Sequence, residues 1–486
     1  MALTSLTFLL FFAVCFALYW LARKRDLQNG VLVLFSYLFY ATCDSRFGLL
    51  LLATSVIDFC IALGIARTHR VSLRRTLLAL SIGFDLGILA LFKYFDFFAD
   101  NLRSLAGVLG WHLDPVILNL LLPVGVSFYT LKSLGYTIDV YRRHVEPTSN
   151  LLAYLTYVAF FPQLLAGPID RADNLLPQLL KPRTFNYEMA VTGCRQILWG
   201  LFKKMVVADN LAPIVNLAYA QVATRPGPDL LFATICFALQ IYCDFSAYSD
   251  IAIGGARVLG LESVVNFAHP YFSASPGEFW RRWHISLMSW FRDYVFFPLG
   301  GLRSSLPRRG FNVMLTFLLS GIWHGASWNF VLWGAINGVG VLPAAFQPGN
   351  RNDPSKGASK TWSSLLKASK IVLTFLFICM TWIFFRATDL STAILILKKI
   401  LTQVWMAGYY FSIQGLLHPY DGYPLAGKKL LVLLLGFFVI EIIQNYRLVD
   451  IDNWPRVARL LAYNSILVLI FYFGAYTVNQ FYYYQF

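Results

Sequence analysis

Residues 313–341 read VMLTFLLSGIWHGASWNFVLWGAINGVGV, and His324 is the only ionisable side chain in this stretch. An apolar run of this length can cross the hydrocarbon core of a bilayer as a helix, which takes about 20 residues. Further uncharged runs occupy 5–22, 31–43, 371–385 and 430–440. Peptide groups without hydrogen-bond partners cannot face lipid, so these runs are predicted to be helices.

The composition of the whole chain is that of a membrane protein. Of its 486 residues, 58% are hydrophobic and 13% are charged, whereas soluble domains carry about 25% charged residues. Scattered glycines and prolines argue against the regular alternation of a transmembrane barrel. We therefore predict an all-α, polytopic integral membrane protein with about eleven transmembrane helices. Re-entrant or interfacial helices are expected beside them, in a single membrane-embedded domain over 1–486.

The net charge of +15 is better explained by membrane topology than by nucleic acid. By the positive-inside rule, basic loops face the cytoplasm, which places the amino terminus outside. The stretch 346–370, with its Gly, Pro, Ser and Lys residues, is predicted to be a cytoplasmic linker before the C-terminal helices and aromatic tail of 371–486. The basic residues that define the first loops are Arg23, Lys24 and Arg25, then Arg67, Arg70, Arg74 and Arg75, then Arg142 and Arg143.

The region 161–341 departs from the regular pattern, because prolines and glycines repeatedly interrupt its apolar runs. Irregular backbone at membrane depth is tolerated only where it is buried in protein or lines a water-filled cavity. We therefore expect the functional site in this region.

His324 is the first candidate, since an ionisable group inside a membrane is costly and histidine exchanges protons near neutral pH. The alternative is a histidine that only hydrogen-bonds between helices, and the local sequence leaves both possibilities open. Gly321, Gly325, Gly334 and Gly338 repeat a small-xxx-small spacing, which predicts a close approach of helix backbones around this imidazole.

Residues 278–294, EFWRRWHISLMSWFRDY, are predicted to form one interfacial helix. His284 lies at the edge of its apolar side. Arg281 and Arg282 could bind the phosphates of an anionic donor, or simply contact lipid phosphate. At 100° per residue, one side collects Trp280, Trp283, Leu287, Trp290 and Tyr294, and the other Arg281, Arg282, Ser289, Arg292 and Asp293.

Buried carboxylates form a further set of candidates. Asp244 and Asp250 interrupt the apolar segment 243–254, and Asp85 stands alone within 77–92. Such groups are expensive in a membrane unless paired or hydrogen-bonded. Asp244 and Asp250 could orient a histidine, pair with an arginine or, like Ser246, cap a helix.

The chain ends in Phe481-Tyr-Tyr-Tyr-Gln-Phe486. Tyrosines are common anchors at a membrane interface. A terminal aromatic tail could instead reach into a cavity, where Tyr483 would offer a hydroxyl to a base.

Four stretches together resemble the membrane-bound O-acyltransferase family, in particular the bacterial branch that contains the alginate O-acetyltransferase and the teichoic-acid D-alanyltransferase. RRWHISL and IWHGASWNF, in this order and at this spacing, are the most specific parts. The four stretches are FPQLLAGPIDR (161–171), DFSAYSDIAIG (244–254), NFAHPYFSASPGEFWRRWHISLMSWFRDYVFFPLGG (266–301) and LSGIWHGASWNFVLWGAINGVG (319–340).

The resemblance implies helices around a funnel or tunnel, with two catalytic histidines, His324 and His284, near its narrow point. His324 would be the general base, and His284 would orient the thioester or stabilise the oxyanion. Tyr483 matches a proposed acyl-carrying tyrosine. No metal is expected. Roles in donor binding or orientation are assigned to Arg281, Arg282, Asp244, Asp250, Trp323 and Asn329.

The same resemblance predicts an enzyme of the bacterial cytoplasmic (inner) membrane that binds no permanent cofactor. It would take acetyl from acetyl-coenzyme A, or another acyl thioester, on the cytoplasmic side for O-acetylation of an exported polysaccharide such as alginate. Its expected partners are a periplasmic or extracellular acyltransferase, the polysaccharide acceptor and membrane lipid, without nucleic acid. Two alternatives remain: D-alanyl transfer from a carrier-protein thioester to teichoic acid, and a transporter or polymer-export channel.

Overall fold

The computed structural model describes residues 1, 3–113, 117–346, 360–405, 428–446, 448 and 453–476. Within these residues the secondary structure is helical, without strands. The all-α membrane architecture is therefore confirmed, whereas the number of about eleven crossings stays a prediction. Among the described residues, 6 helices are long and apolar enough to cross a membrane: Arg46–Arg67, Val71–Val108, Gly227–Val258, Trp328–Phe346, Ser363–Arg386 and Arg456–Phe473.

The chain divides into two compact units, and the first consists of 1–197 together with 249–264. The assignment of 1–486 to a single domain stays a prediction. The helices of the first unit are α1 Leu6–Leu21, α2 Arg25–Asp44, α3 Arg46–Arg67, α4 Val71–Leu89, α5 Phe95–Val108, α6 Val126–Arg142, α7 Leu151–Ala159, α8 Phe161–Leu164, α9 Ala172–Leu179 and most of α10 Tyr187–Phe202.

Helix α6 is buried along nearly its whole length, where it packs against α3, α4 and α7. It follows Gly125, which has a φ of +77° and lies against the backbone of Leu164. One of its buried polar groups has a partner on α8: Lys132 Nζ donates to Gln163 Oε1 at 3.1 Å. This hydrogen bond lowers the cost of burying the Lys132 ammonium group in the core of the unit.

The second unit consists of 198–248 and 265–485. Short π-helical turns cover Lys203–Ala208 and Arg292–Phe296. Its helices are α11 Asp209–Ala220, the first two thirds of α12 Gly227–Val258, α13 Pro276–Arg282, α14 Ile285–Phe291, α15 Leu306–His324, α16 Trp328–Phe346, α17 Lys360–Arg386, α18 Leu390–Gln403, α19 Lys428–Asn445 and α20 Arg456–Phe473.

Helices α15 and α16 form a tightly packed hairpin. A Cβ atom placed on Gly334 would lie 3.3 Å from Cα of Gly321, and one on Gly338 would lie 2.9 Å from Sδ of Met314. Larger side chains would push the two backbones apart. The close approach predicted from the small-xxx-small spacing is confirmed.

The prediction of one continuous helix over 278–294 is wrong, because α13 ends at Arg282 and α14 begins at Ile285. His284 has a φ of +45°, a left-handed conformation that interrupts an α-helix. Each half still buries the aromatic side that the periodicity predicted. The buried members are Trp280, Trp283, Leu287, Trp290 and Tyr294.

The predicted linker 346–370 is too long at its C-terminal end. α17 begins at Lys360, so residues 360–370 of the predicted linker belong to a helix. The physical reason lies in the composition: 360–370 contains no glycine or proline, and both residue types are confined to 348–357. Residues 347–359 lie outside the described part of the chain.

Candidate active site

His324 is the last residue of α15 and lies in a cage of aromatic rings. Its side chain is buried, with the residue 5% exposed. Ring centroids lie 4.9 Å away for Trp323, 5.0 Å for Trp333 and 5.3 Å for Phe385. The helix ends here because the next residue, Gly325, is extended and its neighbouring Phe330 ring leaves no room for a side chain. His324 is therefore held at a fixed turn between two tightly packed helices.

His284 occupies the break between α13 and α14 and is 1% exposed. Asn266 holds the turn: its backbone oxygen accepts from Ile285 N at 2.9 Å, and its Oδ1 accepts from Ser286 Oγ at 2.9 Å. Burial lowers the pKa of the His284 imidazole to about 3. The ring is therefore neutral at physiological pH, with one nitrogen a protonated donor and the other an acceptor.

Helix α13 is fixed at its N-terminus by a cap formed by Ser275 and Glu278. Ser275 Oγ accepts from Glu278 N at 3.2 Å, and Glu278 Oε2 accepts from Ala274 N at 2.9 Å. Pro276 occupies the first helical turn, where its lack of an N–H costs nothing. This cap sets the position of the chain that leads into His284.

Trp323 brings the two histidines together. Its indole lies 6.1 Å from the His284 ring and 4.9 Å from the His324 ring. The Phe245 ring also contacts His284, in an edge arrangement with the ring centroids 4.6 Å apart. The structure thus unites residues 40 positions apart in the sequence around one indole, in surroundings that are apolar and aromatic.

Asp244 pairs with a lysine that the sequence analysis did not single out. Lys204 Nζ lies 2.8 Å from Asp244 Oδ1 and 2.8 Å from Asp209 Oδ1; both carboxylates are buried, and the lysine side chain is 12% exposed. Asp244 lies in the interior of α12, so it caps no helix. Because Phe245 follows Asp244 and contacts His284, this ion-pair cluster fixes one wall of the site.

Asp250 belongs to the first unit and also lies in the interior of α12, where it caps no helix. Its Oδ1 accepts from Gln196 Nε2 at 3.0 Å, and Gln196 in turn accepts from Arg257 Nη1 at 2.9 Å. Asp250 therefore joins α12 to α10. Ser246 is equally interior to α12, and its Oγ accepts from Lys203 Nζ at 2.7 Å.

The two arginines of the predicted donor site differ. Arg282 Nη2 pairs with Glu278 Oε1 at 2.6 Å, and its Nη1 donates to Asn445 Oδ1 at 3.1 Å, which ties α13 to α19. Arg281 is exposed. Of the pair, Arg281 is the more exposed.

Asn329 is buried at the start of α16, and its Nδ2 donates to Ala387 O at 2.9 Å. This bond ties the turn after His324 to the end of α17, which carries Phe385. Tyr483 and the rest of 477–486 lie outside the described residues.

Sequence reasoning missed three residues around the site: Lys204, Asn266 and His269. His269 Nδ1 lies 2.9 Å from Glu441 Oε2, which also accepts from Tyr242 Oη at 3.0 Å. In the sequence, each of the three is a polar residue within or beside an apolar segment. That pattern indicates that the side chain is buried, but it does not predict which residue it bonds.

Comparison with known proteins identifies the family of the chain. The model of the MBOAT, membrane-bound O-acyltransferase family matches residues 140–387. The chain is 38% identical over 396 residues to the protein named "Probable alginate O-acetylase AlgI" of Azotobacter vinelandii, covering 81% of this chain and 76% of that protein. It is 32% identical to the peptidoglycan O-acetyltransferase of Helicobacter pylori, covering 76% and 72%.

A teichoic acid D-alanyltransferase of Bacillus subtilis is more distant, at 28% identity over 54% of this chain and 68% of that protein. All these relatives are named as transferases of acyl groups, and the matched family region contains both buried histidines. The chain therefore belongs to the membrane-bound O-acyltransferase family and is an O-acyltransferase of the membrane.

Proposed function

We propose that this chain takes an acetyl group from acetyl-coenzyme A on the cytoplasmic side and supplies it for O-acetylation of an exported polysaccharide such as alginate. The observation that carries the proposal is the pair of buried imidazoles, His324 and His284, on one indole. The similarity to proteins named for alginate and peptidoglycan acetylation supports the choice of acetyl over other acyl groups.

His324 acts as the general base in this proposal. A neutral imidazole takes the proton of the acceptor hydroxyl as its oxygen attacks the thioester carbonyl. The C–O bond forms, the C–S bond breaks, and the imidazolium returns its proton to the departing thiolate. The products are an oxygen ester and a free thiol, and the histidine is neutral again.

His284 supplies a hydrogen bond to the developing oxyanion. A neutral ring donates from its protonated nitrogen without itself changing charge, and a donor in an apolar site stabilises the oxyanion more strongly than in water. The low pKa of this imidazole keeps it in that neutral form.

Tyr483 is proposed as an intermediate acyl carrier, on the strength of the C-terminal pattern alone. Its phenol would receive the acetyl group from the thioester and pass it to a periplasmic or extracellular acyltransferase. Intact-mass analysis of the C-terminal peptide tests this step: a hydroxylamine-labile acetyl adduct on Tyr483 is expected, and its absence under trapping conditions removes the carrier role while leaving direct transfer open.

The location in the bacterial inner membrane, with the amino terminus outside, is also part of the proposal. It rests on the basic loops after alternate apolar runs. A cysteine introduced near residue 24 should react with a membrane-impermeant maleimide only after the cytoplasmic face is exposed.

The His324→Asn variant tests the function in cells. It should remain in the membrane at wild-type abundance while the ester content of the exported polymer falls to background. His144→Asn is the matched control, because His144 is exposed, and it should leave ester content unchanged. Loss of polymer export itself in His324→Asn would instead favour a channel. Esters of D-alanine on teichoic acid, with no acetyl ester, would favour the D-alanyl alternative.

A further inference from the structure

Two aspartates lie side by side inside the first unit, in helices that are apolar enough to span a membrane. Asp58 is in α3 and Asp85 is in α4, and they are 0% and 2% exposed. Their carboxyl groups lie within hydrogen-bonding contact of each other. Two ionised carboxylates in contact repel, and both would lose their hydration here, so the doubly charged state is strongly disfavoured.

The surrounding groups donate hydrogen bonds but bring no positive charge. Ser81 Oγ donates to Asp58 Oδ1 at 2.7 Å, and the hydroxyl of Ser133 on α6 also bonds Asp58. Among the described residues, neither aspartate forms an ion pair with lysine or arginine. These hydroxyls can stabilise one negative charge on the pair, but they do not neutralise two.

Each aspartate of the pair has one buried carboxyl oxygen that is unsatisfied within the described part of the chain. Oδ2 of Asp58 and Oδ2 of Asp85 have no hydrogen-bond donor among the described residues. Carboxylate oxygens are acceptors only, so a bond between two carboxyl groups needs a proton on one of them. A proton bound to the pair would satisfy both atoms.

An independent observation comes from Tyr129 on α6. Its phenol is buried, with the residue 1% exposed, has no hydrogen-bond partner in the described structure, and interacts electrostatically with Asp85. A buried hydroxyl without a partner costs free energy unless something at the site bonds to it. Its position beside Asp85 indicates a polar site between α3, α4 and α6.

The other ionisable groups on the packed elements do not compensate the pair. From α7, Tyr154 interacts with Asp58 as a neutral phenol, and from α2, Tyr37 interacts with Tyr129. Lys132 of α6 bonds Gln163. Beyond α4, Lys93 follows Asp85 by eight residues, about 12 Å along a helix axis, and Arg74 at the other end bonds the Tyr141 carbonyl.

We propose that Asp58 and Asp85 form a proton-binding site in the membrane interior, where the two carboxyl groups share one proton at neutral pH and thereby join α3 to α4. An aspartate in water ionises with a pKa of about 3.9, so two separated side chains would hold no proton at pH 7. Unfolding therefore releases the proton, and the stability of the first unit falls as pH rises.

Infrared difference spectroscopy of the purified full chain in detergent tests the site. Wild type minus Asp85→Asn, and wild type minus Asp58→Asn, should each show one protonated-carboxyl C=O band at pH 7 that shifts in D₂O. Asp100→Asn, an exposed control, should show none. If a single variant loses a carboxylate band and no protonated-carboxyl C=O band, the proposal is overturned. Loss of two C=O bands in the double variant Asp58→Asn/Asp85→Asn would also overturn it.

Two further measurements keep the proposal testable if a variant folds poorly. In the wild type alone, the C=O band should disappear as pH is raised, and the melting temperature should fall between pH 7 and 9 more steeply than in the double Asn variant. Equal pH dependence would contradict a shared proton. A carboxylate band that shifts when sodium replaces choline would assign the site to a metal cation instead, and would also overturn it.

Discussion

Two neighbouring parts of the second unit bury polar groups in opposite ways. Lys204 is enclosed by opposite charges, Asp209 and Asp244, at 2.8 Å each. His284 and His324 are enclosed by aromatic rings. The two parts are linked along α12, since Phe245 follows Asp244 and contacts His284.

The difference separates a structural role from a chemical one. A buried ammonium must be paired, because an uncompensated charge costs several kcal/mol. A neutral imidazole can be buried at lower cost and keeps a nitrogen that can accept a proton. We therefore interpret Lys204 as a support for the site wall and the histidines as its reactive groups.

The largest effect on stability is expected from Lys204→Met. The change removes the cation that the two buried carboxylates share, which should cost about 3–5 kcal/mol in the free energy of unfolding. Thermal unfolding in detergent measures it, with exposed Lys370→Met as the control. Adding Asp244→Asn to Lys204→Met should restore part of the loss. A Lys204→Met protein that melts normally but does not transfer acetyl would mean that the lysine takes part in the chemistry.

His284→Gln should leave the melting temperature unchanged but slow acetyl transfer. Loss of one oxyanion donor typically lowers the rate by about 10²–10³-fold. Because burial lowers the pKa of His284 to about 3, the ring is already neutral throughout pH 5–8. The wild-type pH–rate profile should therefore show no inflection from this group in that range. An inflection that disappears in His284→Gln would contradict the assignment.

Gly334→Ala tests the packing that positions His324. The new Cβ would meet the Phe317 carbonyl and the Gly321 backbone, and overpacking of this kind costs about 1–3 kcal/mol. Gly87→Ala is the matched control, since nothing lies within 4 Å of its position. If both variants melt alike, the hairpin is looser than described.

The smallest effect is expected from Arg281→Ala. This exposed side chain should leave melting unchanged and raise the KM for acetyl-coenzyme A about two- to fivefold, as expected for an exposed ion pair of about 0.5–1 kcal/mol. Steady-state kinetics in membranes measure it. An unchanged KM would assign Arg281 to lipid contact.

The sequence could predict features that depend on local pattern. The α15–α16 hairpin follows from an apolar run with glycines spaced four apart, and the buried aromatic side of 278–294 follows from its helical period. His324 stands out because no other ionisable residue shares its run.

Other features depend on contacts that the sequence does not display. The periodicity of 278–294 continues across the break, and His284 has a φ of +45° where glycine would be the expected residue. The Lys204–Asp244 pair joins residues that lie far apart in the chain. Both the helix break at His284 and the Lys204–Asp244 pair depend on tertiary packing. A single sequence does not show which residues will meet.

The most direct test of the central claim is acetyl transfer in inverted membrane vesicles supplied with labelled acetyl-coenzyme A. Wild type and His144→Asn should place label in ester linkage at equal rates. His324→Asn, at equal abundance, should be slower by about 10²–10⁴-fold, the usual contribution of a general base. Transfer by His324→Asn at the wild-type rate would show that this imidazole is not the base.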